Sequence, residues 1–333
     1  MNSEHSPAYH TLQRASAEIA LGASLTPLTE LLIEYGSKDP RVCYVGVDTM
    51  DEIFQNKFPE RAFDVGIAEQ DQLGVATGLA KVGMIPIVQA WSPFTPLRNF
   101  DQLRTSLARH SANVKIITTA LGLVNCSHGT THHDLESLAL YRTVPNLVVL
   151  APMDGPQFEM AFRVAMDHVG PVVIMGPPEI YAPGQDDAGA LSISTHPSFE
   201  IGKAEWLRTG KDACLFAFGP ALRYAWTAAE RLSKKGLGIG VVNMCSLKPL
   251  DKEAVLKAVT DIGRIVSVEE QSIIGGLGSA IAEVIAESGV ATRFKRMGIQ
   301  DQFVESLGDW TETREGIGLT SAEVAHTVES LLR

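Results

Sequence analysis

The sequence has little of what marks disulfide-stapled, secreted or membrane-spanning proteins. Four cysteines are scattered through 333 residues without a CxxC pair, which favours buried free thiols over a disulfide framework. No apolar run approaches the ~20 residues of a membrane span. The first ten residues, MNSEHSPAYH, contain no apolar signal-peptide core. We therefore expect a cytoplasmic protein that does not associate with membranes.

Positive charge is also scarce. The formal net charge is -11, and the 28 Lys and Arg residues form no cluster. A nucleic-acid surface needs grouped cations to neutralise phosphates, so the charge pattern argues against nucleic acid as a partner.

Apolar residues are plentiful, and they alternate between strand and helix patterns. With 45% hydrophobic residues and a length of 333, the chain can bury a large core and is long enough for about two domains. Short β-branched runs separated by helical spacing predict parallel sheets covered on both faces. In the first half the predicted strands are 41–47, 62–65, 85–89, 114–119, 147–150 and 172–175, with helices at 73–80, 99–108 and 155–166.

A change of composition divides the chain. Residues 176–200 are rich in Pro, Gly, Asp and Ser with little periodicity, which is typical of a linker. Beyond them a second α/β pattern begins, with predicted strands at 213–218, 239–242, 264–268 and 292–297. The predicted organisation is a first domain over 1–176, a linker over 177–200 and a second domain over 201–333.

The run Phe63-Asp-Val-Gly-Ile-Ala-Glu-Gln70 carries most of the functional information. Its apolar beginning predicts a buried strand, Gly66 allows a tight turn, and the following segment predicts a helix. Glu69 is therefore placed near a helix start. An acid there could simply offset the helix dipole, an effect of about 0.3–1 kcal/mol.

This run resembles the pyrimidine-binding domain of transketolases and of deoxyxylulose-phosphate synthases, which depend on thiamine diphosphate. In the second half, the segments around Ser246-Leu-Lys-Pro-Leu-Asp251, Gly275-Gly-Leu-Gly-Ser279 and Gly298-Ile-Gln-Asp-Gln-Phe303 resemble the transketolase C-terminal domain. The resemblance spans almost the whole chain. It implies two α/β domains, each a mostly parallel sheet with helices on both faces, with the second serving assembly and structure.

The resemblance also implies roles for individual residues. Glu69 would contact the aminopyrimidine ring, where a carboxylic acid on the ring nitrogen favours the tautomer that removes the thiazolium C2 proton. Phe94 would stack on the same ring, and Asp48, at a shared subunit interface, would also contribute to cofactor binding. Arg98 and Arg104 resemble positions near the interface and the site, where Arg98 would contact the substrate, although ordinary solvated helical ion pairs are an equal alternative.

A second block, Ser127-His-Gly-Thr-Thr-His-His133, resembles a family segment that faces the substrate. In that alignment His132 contacts the substrate, and imidazole can donate a hydrogen bond or move protons near neutral pH. The nearby His128 would also contact substrate. Three histidines could instead bind a metal, but no carboxylate or cysteine pair accompanies them at ligand spacing, so no metal ligand is assigned to this chain.

Several residues differ from the family pattern at positions that contact the substrate. His128 stands where an Asp is common, Met175 and Pro178 lie in the segment that usually carries a phosphate-binding Arg, and Ala120 replaces a phosphate-facing His. Neither Met nor Pro can replace the two-pronged contact of an Arg with phosphate. The substrates are thus expected to differ from common sugar phosphates, unless Arg14 or a partner supplies the cation.

One family motif is missing. The chain contains no Gly-Asp-Gly, the start of the family segment that holds Mg2+ and the diphosphate, and no other oxygen-ligand cluster is evident. We therefore expect a split transketolase in which a separate N-terminal subunit binds the diphosphate and Mg2+. An α2β2 assembly would follow, consistent with closed symmetry.

The expected activity is transfer of a two-carbon ketol unit from a ketose to an aldehyde. A β-type subunit of a 2-oxo-acid dehydrogenase and a deoxyxylulose-phosphate-synthase-like carboligase remain alternatives, as does a catalytically silent paralogue that regulates a partner.

Overall fold

The computed structural model describes residues 28–47, 51–176, 198–305 and 310–333. The predicted interface residue Asp48, Arg14, Pro178 and most of the predicted linker lie outside these ranges. Within them, no helix is both long and apolar enough to cross a bilayer. All four cysteines are free and buried, as predicted.

The first half of the chain forms a sheet with helices on both sides. Its strands are β1 (Val42–Gly46), β2 (Ala62–Asp64), β3 (Ile85–Trp91), β4 (Lys115–Thr119), β5 (Val148–Leu150) and β6 (Val172–Met175). Its helices are α1 (28–38), α2 (Glu52–Lys57), α3 (Glu69–Lys81), α4 (Phe94–Leu97), α5 (Ser137–Thr143) and α6 (Gly155–Asp167). These six strands run parallel in the spatial order β5-β6-β4-β3-β1-β2.

Alternation of side chains explains why both faces are covered. Val45 and Val88 pack into one hydrophobic cluster, whereas their neighbours Tyr44 and Ile87 pack into a second. Successive residues of a strand point to opposite faces, so continuous apolar strands need helices on each side. The predicted fold class is confirmed.

The second sheet follows the same logic. Its strands are β7 (Glu205–Arg208), β8 (Ala213–Ala217), β9 (Ile239–Asn243), β11 (Arg264–Ser272) and β12 (Arg293–Ile299), in the order β12-β11-β8-β9-β7. Only β7 is antiparallel to its neighbour. The accompanying helices are α7 (Ala221–Ser233), α8 (Lys252–Asp261), α9 (Leu277–Ser288), α10 (Trp310–Gly316) and α11 (Ser321–Leu332).

Two local predictions were wrong. The strand over 62–65 was expected to be buried, but β2 is an edge strand that pairs only with β1 and is partly exposed. The helix over 99–108 is irregular, with a π-helical segment at Gln102–Leu107 followed by a 3-10 turn at Ala108–His110. π-Helical turns are frequent at functional sites, and this one follows Arg98.

The glycine-rich segment before α9 could suggest a phosphate site, but a side chain already occupies that helix start. Both carboxylate oxygens of the buried Glu269 accept hydrogen bonds from the backbone, at 2.7 Å from Leu277 N and 2.8 Å from Gly278 N. The helix N-terminus is therefore neutralised from within. This agrees with the structural role expected for the second domain.

The two halves of the chain share one sheet. Strand β10 (Ser246–Lys248) from the second half pairs antiparallel with β5 and becomes the seventh strand of the first sheet. At its end, Lys248 Nζ donates to the carbonyl oxygens of Tyr141, Arg142 and Val144, which close α5. A lysine near a helix C-terminus satisfies its last carbonyl groups.

We expect Lys248→Met to lower the free energy of unfolding by about 1.5–3 kcal/mol, since it removes charge-assisted hydrogen bonds that join the two halves. Urea denaturation followed by circular dichroism measures this change. Lys252→Met is the matched control, because Lys252 is exposed and its contact with Glu287 is 3.6 Å long. Equal effects of the two substitutions would contradict this role for Lys248.

Candidate active site

The predicted site residues lie at one end of the first sheet. Glu69 follows β2, Trp91 ends β3 and is followed by Phe94 and Arg98, and the loop carrying His132 follows β4. The direction in which the chain adds strands to the sheet reverses between the adjacent strands β1 and β3. From β1 the chain continues to β2 on one side, and from β3 it continues to β4 on the other side. Open α/β sheets bind ligands outside the carboxyl ends of strands at such a reversal.

Glu69 is the first residue of α3, as the sequence predicts, and it is only 4% exposed. Three residues on, the amide of Gln72 donates to the carbonyl oxygens of Val45 (2.7 Å) and Gln89 (2.9 Å), which ties α3 to β1 and β3. Asn99 Nδ2 donates to the Glu69 carbonyl oxygen at 3.1 Å. The Glu69 carboxylate is therefore buried and held in a fixed position. A surface acid that only offsets the helix dipole would instead project into water.

Arg98 contacts both Glu69 and Phe94. Its Nη1 lies 2.9 Å from Oε1 and 3.1 Å from Oε2 of Glu69. Its guanidinium carbon lies 3.8 Å from the Phe94 ring centroid, over the ring face. The Arg98 side chain is 48% exposed, so it approaches the buried acid from the solvent side.

Aromatic rings and imidazoles surround this pair. His132 lies 5.2 Å from both Phe94 and Trp91, measured between ring centroids, and 5.2 Å from His128. Trp91 stacks on Phe94 at 6.1 Å with an 11° angle between the rings. The structure thus brings together Glu69, Phe94, Arg98, His128 and His132, all predicted from sequence.

Two side chains of this site had no role assigned from sequence. Trp91 stands three residues before Phe94, and its aromatic type was the only available signal. Asn99 gave no signal, because its contacts with Glu69 and Thr95 connect separate elements.

The loop over 122–134, here called the histidine loop, begins with strained backbone. Ala120 adopts φ 64° directly after β4, and Gly122 adopts φ 69°. Positive φ is uncommon for a residue with a side chain. The turn redirects the chain from β4 across the mouth of the site.

Hydrogen bonds within the histidine loop orient its imidazoles. Thr131 Oγ1 lies 2.9 Å from His132 Nδ1, which leaves Nε2 for another partner. His133 instead points inward, is 3% exposed and lies near the Cys126 carbonyl oxygen. Within the described residues no group of His, Cys, Asp or Glu is arranged to hold a metal ion.

Burial lowers the pKa of His132, and the nearby His128, Arg98 and His133 lower it further in that order. Burial also lowers the pKa of His128. Both imidazoles are therefore mainly neutral at pH 7, and each can accept or donate one hydrogen bond.

Two of the positions tied to substrate phosphate, Met175 and Ala120, lie within the described residues and are buried. Met175 is fully buried in the core, and Ala120 is 2% exposed. Neither side chain faces the open cleft beside Glu69, which has a volume of about 780 Å³ and is lined by the first turn of α3 with Arg98 and Gln102.

Comparison with known proteins identifies the family. The transketolase pyrimidine binding domain matches residues 24–183, and the transketolase C-terminal domain matches residues 202–324. The chain belongs to the transketolase family, and membership implies a thiamine-diphosphate enzyme of the transketolase type.

Individual relatives and a solved structure also belong to this family or resemble it. The chain is 35% identical to the 6-deoxy-6-sulfo-D-fructose transketolase subunit SqwH of Clostridium sp. (strain MSTE9), over 91% of this chain and 92% of the relative. It is 36% identical to 1-deoxy-D-xylulose-5-phosphate synthase of Symbiobacterium thermophilum over 91% of this chain, but that match spans only 46% of the synthase. A solved structure, titled as a split gene transketolase, inactive beta4 tetramer, superimposes with a TM-score of 0.78 at 33% identity and covers 95% of this chain and 98% of that one.

Replacing Arg98 by Met is expected to raise the pKa of His132, because it removes a nearby positive charge that disfavours the imidazolium. NMR titration of the His132 imidazole in the free chain measures the shift. Arg104→Met removes an exposed arginine further along the chain and should leave that pKa in place. A lower or unchanged His132 pKa in Arg98→Met would contradict this electrostatic coupling.

Proposed function

We propose that this chain is the C-terminal subunit of a split transketolase, which transfers a two-carbon ketol unit from a ketose to an aldehyde once it is joined to an N-terminal subunit. The buried Glu69 carboxylate, which Arg98 joins to the face of Phe94, carries the proposal. Near-complete coverage of both a split-gene structure and a transketolase subunit supports it.

The residues present fit one end of thiamine diphosphate. The guanidinium of Arg98, a planar and conjugated group with N–H donors, already rests on Phe94 and bonds to Glu69. This contact indicates that the same surfaces can accept an aminopyrimidine, through stacking on the ring and a hydrogen bond to the acid. When bound, the coenzyme supplies a nucleophilic thiazolium carbon.

The other end of the coenzyme has no partner among the described residues, where no Mg2+ ligand cluster occurs. We propose that the N-terminal subunit holds the Mg2+ and the diphosphate. Exposed apolar side chains close in sequence to site residues support such a partner: Ile67, two residues before Glu69, is 69% exposed, and Leu97, next to Arg98, is 45% exposed. Exposed apolar residues at a functional edge are typical of a surface that a partner covers, and we propose that Asp48 lies at this shared interface.

Each site residue then has a defined task. Glu69 holds a proton at its carboxyl oxygen against the ring nitrogen, and Phe94 fixes the plane of the ring. His132, neutral and fixed through Nδ1, has Nε2 available to donate to or accept from a substrate oxygen. We propose that His128, whose ring centroid lies 5.2 Å from that of His132, and Arg98 also contact the substrate.

A second reaction is also a candidate for this site. The synthase relative at 36% identity supports a deoxyxylulose-phosphate-synthase-like carboligase. Release of CO2 from pyruvate by the reconstituted pair would favour that reaction, whereas ketol transfer from a ketose without pyruvate would favour transketolase activity.

We expect Glu69→Ala to reduce turnover of the reconstituted pair by about 10²–10⁴-fold, since assistance to proton removal contributes about that much. Steady-state ketol transfer measures the loss, and size-exclusion chromatography checks that the partner still binds. Glu52→Gln is the matched control, because Glu52 opens α2 as Glu69 opens α3 but is exposed. Undiminished turnover in Glu69→Ala would remove the mechanistic assignment.

If an aminopyrimidine takes the contacts that Arg98 makes, Arg98 must leave Glu69 when the coenzyme binds. Half-exposed ion pairs contribute about 0.2–1 kcal/mol, so Arg98→Met should tighten thiamine diphosphate binding up to about fivefold. Isothermal titration of the reconstituted pair measures this affinity, with Arg104→Met as control. Weaker binding in Arg98→Met would show instead that Arg98 helps to hold the coenzyme.

A further inference from the structure

The C-terminal end of β11 packs against the histidine loop. Glu270 Oε2 accepts a hydrogen bond from Leu123 N at 3.3 Å. A Cβ placed on Gly122 would lie 2.8 Å from the Glu270 Cβ. The start of the loop is therefore in direct contact with a side chain from the other half of the molecule.

The end of the loop is held by the next two residues of the same strand. Gln271 Nε2 donates to the Asp134 carbonyl oxygen, and its Oε1 accepts from Leu138 N at 3.2 Å. Ser272 N donates to the Leu135 carbonyl oxygen at 2.7 Å. Asp134 N donates to the Gly122 carbonyl oxygen at 2.9 Å, which closes the base of the loop.

Apolar contacts reinforce these anchors. A small hydrophobic cluster combines residues within or next to the histidine loop with residues of the second half. Its buried members are Leu123, Cys126, Leu135, Ile299, Val304 and Trp310. Thr130 Oγ1, between the two site histidines, donates to the Val304 carbonyl oxygen at 3.0 Å. The loop is thus supported from the second half along its whole length.

Glu270 is itself fixed by charge. It is 2% exposed and forms an ion pair with the buried Arg314 of α10. The Arg314 guanidinium carbon lies 3.1 Å from the Trp310 ring centroid and 5.0 Å from that of Tyr224. A buried ion pair is costly to desolvate and often adds little stability over apolar packing, so its presence here calls for another explanation.

We propose that Glu270 is a positioning residue for the reaction: the Glu270–Arg314 pair, together with Gln271, holds the histidine loop so that His132 faces Phe94 and His128 faces Trp91. The second half of the chain therefore determines the geometry of the substrate-facing histidines and does more than assist assembly. The catalytic part of this inference rests on the proposed function, whereas the anchoring of the loop does not.

The neighbouring Glu269 provides a matched control. It is equally buried and adjacent in β11, but it points to the other face of the strand and caps α9. Removing it should disturb α9 and leave the histidine loop in place.

The first measurement is hydrogen exchange in the full chain without coenzyme, partner or substrate. In Glu270→Ala, amides over 122–134 should exchange about tenfold faster or more, because the Leu123 N–H loses its acceptor. Glu270→Gln keeps a carbonyl oxygen for that N–H and should restore much of the protection. In Glu269→Ala the loop should stay protected. Unchanged exchange over 122–134 in Glu270→Ala, or equal acceleration in Glu269→Ala, would overturn the proposal.

Gln271→Met offers a second test, should Glu270→Ala fail to fold with Arg314 unpaired. This substitution leaves no charge behind and removes the hydrogen bonds at the other end of the loop. Faster exchange limited to the histidine loop and the start of α5 is expected, because Leu138 N also loses its acceptor, and exchange unchanged in the loop or accelerated throughout the chain would count against the proposal.

Kinetics of the reconstituted pair supply the functional arm. In Glu270→Ala the loosened histidine loop should lower kcat about tenfold or more. The Kd for thiamine diphosphate should stay unchanged, because Glu69 and Phe94 are not on the loop. A parallel loss of coenzyme affinity, or an unchanged kcat, would refute the positioning role. If the wild-type pair shows no ketol transfer, the proposed function fails, and the exchange data still decide whether the loop is anchored.

Discussion

The candidate site depends on the burial of one carboxylate at the carboxyl edge of a parallel sheet. Glu69 is the first residue of α3 and is almost completely buried, with Arg98 bonded to both of its oxygens. A buried carboxylate is costly unless it is paired, hydrogen-bonded or protonated. Hydrogen bonds of Gln72 and Asn99 fix the position of Glu69. Only groups that reach this fixed position can bond to its carboxylate.

The other side chains of the site reach the buried Glu69 carboxylate from the same edge of the first sheet. The reversal of strand order between β1 and β3 opens a cleft, and turns after β2, β3 and β4 deliver an acid, aromatic rings and imidazoles to it. The second half contributes β10 to the same sheet and contacts the histidine loop through β11. The two halves are therefore coupled close to the site.

Much of this could be predicted from sequence because it is local. Continuous apolar strands alternating with helices indicated the two sheets, and the segment before Gln70 placed Glu69 at a helix start. Phe94 and His132 were found through resemblance to family segments. The pairing of Arg98 with Glu69 was not found, since it joins residues 29 positions apart. The contact of Glu270 with the histidine loop, 147 positions apart, also left no local pattern. The exposure of β2 was missed because an edge strand and a central strand can share the same short apolar sequence.

The central claim is that Glu69 assists removal of the C2 proton of thiamine diphosphate in an assembly with a diphosphate-binding subunit. Deuterium exchange at that carbon, measured by NMR after rapid acid quench of the reconstituted assembly, tests it directly. The account predicts exchange at least about 100-fold slower in Glu69→Ala than in the wild type when both hold coenzyme. Equal exchange rates in the two coenzyme-loaded assemblies would contradict it.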